Sequence, residues 1–329
     1  MTPLESLQTA QETALREALE AAWKRKEPVR GLTEAFRLLN GEASGTPRLV
    51  LELYGKHAVF YDYGSGLGEV LRKVAAELRR RFEWDSVASI DRTVAGEEGR
   101  SGNVVLAGKA PESLVIREEG LKFLLEPGHA RNVGLFLDTR ELRRDLKTRA
   151  EGARVLNLFA YTGSLGLAAL AGGAREVTQV DISSRYLEWA RENTRLNDLP
   201  EAACRFSKMD SERYLDWASK KGLTFDHIVL DPPVFSRFEG KVFRWADDYF
   251  RLAEKCAALL SPGGVLHAVT NYSGIDAPGF AAGLSAAAAR ARRPAGLPRR
   301  LPLPPDFDLA PDAEDLPEGN ALIYQVTVT

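Results

Sequence analysis

NLFAYTG, residues 157–163, closes a short apolar strand that begins near Arg154 and leads into a helix-forming run at 164–171. Gly163 and Gly166 carry no side chain, so a ligand can approach the backbone at the helix N-terminus, where N–H groups are unpaired. Outward from this turn the chain alternates. Strands are expected at 154–159, 176–181, 203–207, 226–230, 265–270 and 321–328, and helices at 140–149, 164–171, 184–196, 211–220 and 245–260. Strand-helix alternation with β-branched strands predicts an α/β, Rossmann-like domain built on a seven-stranded, mostly parallel sheet.

The N-terminal third reads differently. Residues 1–27 place Leu4, Leu7, Ala14, Leu15 and Leu19 at helical spacing and are expected to form one helix stopped by Pro28. From Glu34 to Leu125 the pattern is one of short strands, at 36–40, 49–53, 58–63, 86–91, 103–107, 113–117 and 121–125, with one helix at 68–82. The expected division is an N-terminal helix (1–30), a small α+β domain (31–126) and the Rossmann-like domain (127–329). Residues 290–317, rich in Pro, Arg and Asp, are expected to be an exposed connection. The basic runs at 24–26 and 79–81 fall at helix ends, where they complement the dipole and are expected to stay solvated; an RNA contact is the less favoured reading of each.

Composition narrows the function classes. The 329 residues are 44% hydrophobic and 27% charged with a formal net charge of −2, so a nucleic-acid partner would have to be met by a local patch. Two cysteines, Cys204 and Cys256, are too few for a disulfide framework and show no zinc spacing, which argues for a reducing compartment and no metal. The N-terminus lacks the apolar core of a signal peptide. The most apolar run, 155–174, is broken by Asn157, Thr162, Ser164 and four glycines, so no membrane segment and a cytoplasmic location are expected. No feature of the sequence fixes an oligomeric state.

In open α/β sheets ligands bind beyond the carboxyl ends of the strands, and the residues there form a set. Asp181 lies eighteen residues past Gly163, where a carboxylate can take both hydroxyls of a ribose; Asp210 follows the third strand, and Asp231-Pro232-Pro233 the fourth. Each alone has a plain explanation as a turn, a helix cap or a strand terminator. Together they indicate a nucleotide-like cofactor. The loop Gly163-Ser164-Leu165-Gly166 is not the G-x-G-x-x-G that holds a pyrophosphate, which favours S-adenosylmethionine over a dinucleotide.

The tracts GLFLDTR (134–140), NLFAYTG (157–163), VDIS (180–183) and LDPPVFS (230–236) resemble the bacterial large-subunit rRNA methyltransferases, the family that includes the 5-methylcytosine enzyme and its 7-methylguanine relative. FRLLNGE (36–42), LVLELYG (49–55) and YDYG (61–64) resemble the small α/β domain that precedes the catalytic domain there. The likeness runs over about 34–275. It implies a class I, S-adenosylmethionine-dependent methyltransferase whose cofactor site is lined by Phe159, Tyr161, Gly163, Asp181, Asp210 and Asp231, with Arg140 as a neighbour. Two departures stand out. The PUA-like domain that opens many members has only the N-terminal helix in its place, and Asn271, in VTNYSG (269–274), stands about where the family's nucleophilic cysteine is expected.

Methylation at pyrimidine C5 usually needs a thiolate to add to C6, and neither Cys204 in a strand nor Cys256 on a helix is placed for it. A base nitrogen has its own lone pair and needs mainly alignment with the methyl group. Asp231, Pro232, Pro233 and Phe235 suit that task, the carboxylate meeting a base edge, the prolines fixing the turn and Phe235 offering a stacking face, with Asn271 adding a donor and an acceptor. Phe235 in the core and Asn271 as a strand-end cap remain the alternatives. His267, alone in a strand, is expected to be structural, and His129 is a weak candidate at the site edge. The expected activity is methyl transfer to a base nitrogen of large-subunit rRNA without a covalent cysteine intermediate. A methyltransferase of proteins or small molecules, or a cofactor-binding protein without chemistry, are the rival expectations.

Overall fold

The computed structural model describes residues 3–93, 103–127, 132–238, 241–308 and 320–329. Its two compact units are Met1–Leu137 with Pro305–Ala313, and Asp138–Pro304 with Glu314–Thr329. In the first, α1 (Pro3–Arg25) turns Leu15, Leu19 and Ala22 into the core, and a separate short α2 (Glu27–Arg30) follows. The single helix expected over 1–27 is thus two, because Pro28 occupies the first turn of α2, where its missing N–H costs nothing.

Strands β1 (Ala35–Asn40), β2 (Leu49–Tyr54) and β3 (His57–Asp62), helix α3 (Gly68–Arg81), and strands β4 (Ser86–Asp91) and β5 (Asn103–Gly108) complete a five-stranded sheet ordered β1-β2-β3-β4-β5. The strands pair antiparallel except β3 with β4, which α3 joins as a crossover. One stripe of α3, Val70, Leu71, Val74, Ala75 and Leu78, is buried in the same cluster as Phe36, Leu38, Leu51 and Phe60. A hairpin of β6 (Leu114–Glu118) and β7 (Leu121–Leu125) stands beside it.

Two expectations fail in this unit for one reason. Lys26 is buried rather than solvated, its Nζ donating to the Asp306 carbonyl at 2.8 Å and pairing with Asp308 Oδ1 at 2.6 Å. Asp306 is fully buried and accepts the Arg37 N–H at 2.8 Å, while Phe307 lies under the Arg37 guanidinium at 4.1 Å. Residues 306–308 are therefore stitched into the fold, whereas most of 290–300 is exposed as expected. Strand β1 is an edge, so its outward N–H and a buried ammonium both need acceptors, and this segment supplies them.

The second unit holds α4 (Arg140–Arg149), β8 (Arg154–Leu158), α5 (Ser164–Ala171), β9 (Glu176–Asp181), α6 (Ser184–Leu196), β10 (Cys204–Lys208), α7 (Ser211–Lys220) and β11 (Phe225–Leu230). It continues with β12 (Phe235–Phe238), β13 (Lys241–Arg244), α8 (Trp245–Ala258), β14 (Leu260–Thr270), α9 (Ala277–Arg290), β15 (Arg299–Arg300) and β16 (Leu322–Thr327). Seven strands order as β10-β9-β8-β11-β14-β16-β15, the first five parallel and the last two antiparallel. The sheet is the Rossmann-like one expected. Both faces are covered: Leu156, Leu158 and Leu230 join one core with α8 and α9, Val155 and Val229 the other with α4 and α5. Burial on both sides is why these strands are rich in apolar residues.

The sequence reading missed the β12–β13 hairpin, α9 and the two-residue β15. Asp276 caps α9 by accepting the Gly279 N–H at 2.8 Å, with Pro278 in the first turn, a start signal present in the sequence. His267 is structural, as expected. Gln325 Nε2 lies 3.1 Å from its Nδ1 and must be the donor, so His267 Nε2–H donates to His227 Nδ1 at 3.0 Å, and the remaining His227 N–H meets the Arg149 backbone. Burial lowers the pKa of both rings, leaving them neutral. His129 lies outside the described residues.

Candidate active site

Register places the strand ends side by side. Leu158 pairs with Val180 and with Leu230, and Leu230 with Ala268, so Phe159, Asp181 and Asp231 stand one step beyond a common level. Strands β9 and β11 flank β8, which separates Asp181 from Asp231 by about 10 Å at ordinary strand spacing. The chain reverses its winding between β8 and β11, so this edge is the switch point at which such sheets bind ligands.

The loop after β8 is built from left-handed residues. Phe159, Tyr161 and Gly163 have φ of 54°, 51° and 78°, and the two aromatic residues hold this region against its steric cost. Buried polar side chains fix the shape: Asn157 Nδ2 donates to Gln179 Oε1 at 2.7 Å, Gln179 Nε2 to the Gly163 carbonyl at 3.1 Å, and Asn193 Nδ2 to the Thr162 carbonyl at 3.0 Å. A Cβ on Gly163 would lie 2.6 Å from the Ala190 Cβ, and one on Gly166 2.6 Å from Gln179 Cδ. On the side where a Cβ would stand, these glycines serve packing of α5 against β9 and α6. Sequence reasoning gave none of Asn157, Gln179 and Asn193 this role; a polar side chain inside an apolar strand was the signal for the first two, and Asn193, among the polar residues of α6, gave none.

Asp181 closes on this loop. Its Oδ2 accepts the Tyr161 N–H at 2.9 Å and its Oδ1 the Ser183 N–H at 2.8 Å, leaving further lone pairs on each oxygen. Burial raises its pKa, opposed by the N–H groups of Ser183, Tyr161 and Ile182. The Tyr161 ring meets Tyr186 edge-on at 4.6 Å and lies 6.2 Å from Trp189. Asp210 caps α7, accepting the Arg213 N–H at 3.0 Å. Arg140 is buried in the first turn of α4.

On the other side of β8, burial and then the charge of Asp138 push the Asp231 carboxyl up to about 7. Pro232 is buried and Pro233 exposed. Phe235 is 49% exposed, which excludes a core role. Asn271 is exposed, and its side chain makes no hydrogen bond among the described residues; the strand end is capped by Thr270, whose Oγ1 accepts the Tyr272 N–H at 3.1 Å. The buried Tyr249 hydroxyl reaches the carbonyls of Leu230 at 3.3 Å and Val269 at 3.1 Å, tying together the strand ends that carry Asp231 and Asn271. Phe243 of the unexpected hairpin lies 5.9 Å from the Phe159 ring, so one more element borders the site.

Both cysteines are buried. Cys204 begins β10, at the opposite end of its strand from Asp210, and burial pushes its thiol up to about 12. Cys256 is buried in α8 with its thiol raised further. The described residues contain no group of His, Cys, Asp and Glu fit to hold a metal, and none of their helices is long and apolar enough to cross a membrane.

The donor set fits a nucleoside cofactor without a pyrophosphate: a strand-end carboxylate with free lone pairs, an aromatic-lined loop, and glycines committed to packing. Residues 84–324 match the family model described as S-adenosylmethionine-dependent methyltransferase. YwbD of Bacillus subtilis, provisionally named a ribosomal RNA large subunit methyltransferase, is 31% identical over 88% of this chain and 73% of its own. A ribosomal RNA large subunit methyltransferase of Deinococcus radiodurans is 33% identical over 80% of this chain, and ribosomal RNA large subunit methyltransferase I of Aeromonas salmonicida 34% over 75%. The chain spans under two thirds of the length of these last two, 66% and 64%. The crystal structure of SMU.776 complexed with SAH superposes with a TM-score of 0.86 at 25% identity, covering 96% of this chain and 82% of that one.

Proposed function

Because the chain belongs to the S-adenosylmethionine-dependent methyltransferase family, we propose that it transfers a methyl group to a base nitrogen of large-subunit rRNA, without a covalent cysteine intermediate. The carrying observation is the row of strand ends, which sets the loop of Phe159, Tyr161 and Gly163 with Asp181 on one side of β8 and Asp231-Pro232-Pro233 with Asn271 on the other. S-adenosylmethionine, when bound, supplies a methyl group already activated on sulfur.

The chain's own residues then divide the work. Asp181 accepts the ribose hydroxyls, Phe159, Tyr161 and Gly163 shape the cofactor loop, Asp210 and Arg140 border it, and Asp231 faces both halves. With a carboxyl near pH 7, Asp231 is ionised in enough molecules to accept a hydrogen bond from an acceptor N–H. Pro232 and Pro233 hold the turn, the exposed Phe235 offers a stacking face for a base, and Asn271 can donate and accept at its edge. The rRNA assignment follows what the relatives are named for, and it implies a cytoplasmic enzyme. The unreactive placement of both thiols supports direct transfer. Replacing Cys204 and Cys256 together by Ala tests that point: full activity is expected, and activity lost from a folded variant refutes it.

A further inference from the structure

The β12–β13 hairpin follows the Asp231-Pro232-Pro233 turn directly and has two different faces. Phe235 pairs with Arg244 and Ser236 with Phe243, so Phe235, Val242 and Arg244 point to one side and Ser236 and Phe243 to the other. The inner side registers on the cofactor loop through the Phe243–Phe159 contact. The hairpin base is locked as well: the Trp245 N–H donates to the Val234 carbonyl at 3.0 Å, and the buried Trp245 ring lies 4.6 Å from Tyr272, the neighbour of Asn271.

The outer side is apolar and cationic in the open. Val234, Phe235 and Val242 are 41%, 49% and 37% exposed, and the exposed Arg244 side chain has no carboxylate partner among the described residues. Asp248, the nearest acid in sequence but one, accepts the Arg244 backbone N–H and pairs with Arg251. In a chain of net charge −2, the stretch from Phe235 to Arg244 carries Arg237, Lys241 and Arg244 against Glu239 alone. An exposed aromatic ring beside a cation, as Phe235 and Arg244 provide, matches single-stranded nucleic acid, whose bases expose π-faces that a duplex keeps stacked inside.

We propose that this hairpin is an RNA-binding element whose outer face, formed by Phe235, Val242 and Arg244, grips an unpaired stretch beside the target nucleotide. The proposal rests on the RNA methyltransferase function above and names the acceptor's form: looped-out or single-stranded RNA. Arg244 meets a phosphate, and Val242 with Phe235 forms the stacking ridge.

The test uses the full-length protein and a fluorescein-labelled RNA oligonucleotide of mixed sequence, free or annealed to its complement, with binding read by anisotropy. S-adenosylhomocysteine affinity by calorimetry is the control on the site itself. Val242→Asp with Arg244→Glu is expected to weaken binding of the free strand at least about tenfold while leaving cofactor affinity unchanged. Arg244→Glu alone should lower the slope of log affinity against log salt by about one. Equal binding by wild type and double variant overturns the hairpin's role, and equal binding of free and annealed RNA overturns the preference for unpaired strands. A wild-type protein that binds S-adenosylhomocysteine but neither RNA overturns the RNA methyltransferase function instead.

Discussion

Asp231→Asn is expected to make the fold more stable at neutral and alkaline pH while stopping methyl transfer. Burial and the Asp138 charge move the carboxyl from 3.8 to about 7, so the folded chain binds this proton more tightly than the unfolded chain does. Between those two values the folded state holds more protons, and wild-type stability falls as pH rises through the window. At about 1.4 kcal/mol per pKa unit, the ionised carboxylate withholds at most about 4 kcal/mol above pH 7. Solvent at the strand end reduces this to about 1–3 kcal/mol. Asparagine keeps the shape and carries no charge. Urea unfolding of both proteins from about pH 4 to about pH 8 should show a gap that opens upward with pH, the variant being the more stable. Other titrating groups, His227 and His267 among them, are common to both proteins and cancel in the difference. A gap that stays constant with pH, or a variant less stable above pH 7, would refute the reasoning.

Asp181→Ala should cost about 1.5–3 kcal/mol of S-adenosylhomocysteine affinity by calorimetry, and an unchanged Kd sinks its ribose role. Tyr249→Phe keeps the ring but cuts the link to the Leu230 and Val269 carbonyls, so stability should drop by about 0.5–1.5 kcal/mol and turnover should fall while cofactor affinity holds. Undiminished turnover would show that the link sets nothing at the site. His227 and His267, both buried with lowered pKa, contribute stability that is complete above their ordinary 6.5 and is lost as pH falls below it. Replacing both by Leu should flatten that acid limb in urea unfolding; an equally steep limb would contradict it.

The parallel sheet was legible because its strands, buried on two faces, are mostly apolar, and because the residues past each strand sit at one edge by topology alone. Asp181, Asp231 and the Phe159–Gly163 loop could be found that way. The hairpin could not: FSRFEGKVFR does not alternate apolar with polar residues strictly and lacks an Asn-Gly or Asp-Gly turn. Lys26 was misread because its burial depends on an acceptor 280 residues away, the Asp306 carbonyl, which no local pattern encodes. The packing role of Gly163 and Gly166 against Ala190 and Gln179 was not legible, since a glycine marks close approach without saying what approaches.

The most direct measurement is transfer of isotope-labelled methyl from S-adenosylmethionine, by the purified protein, to large-subunit rRNA taken from a strain lacking its gene, followed by mass spectrometry of the nucleosides. Label on a nitrogen of one base, at a position unmodified in that strain and modified in its parent, is the predicted result. Label at cytosine C5, or none on RNA from a protein that binds S-adenosylhomocysteine, would contradict it.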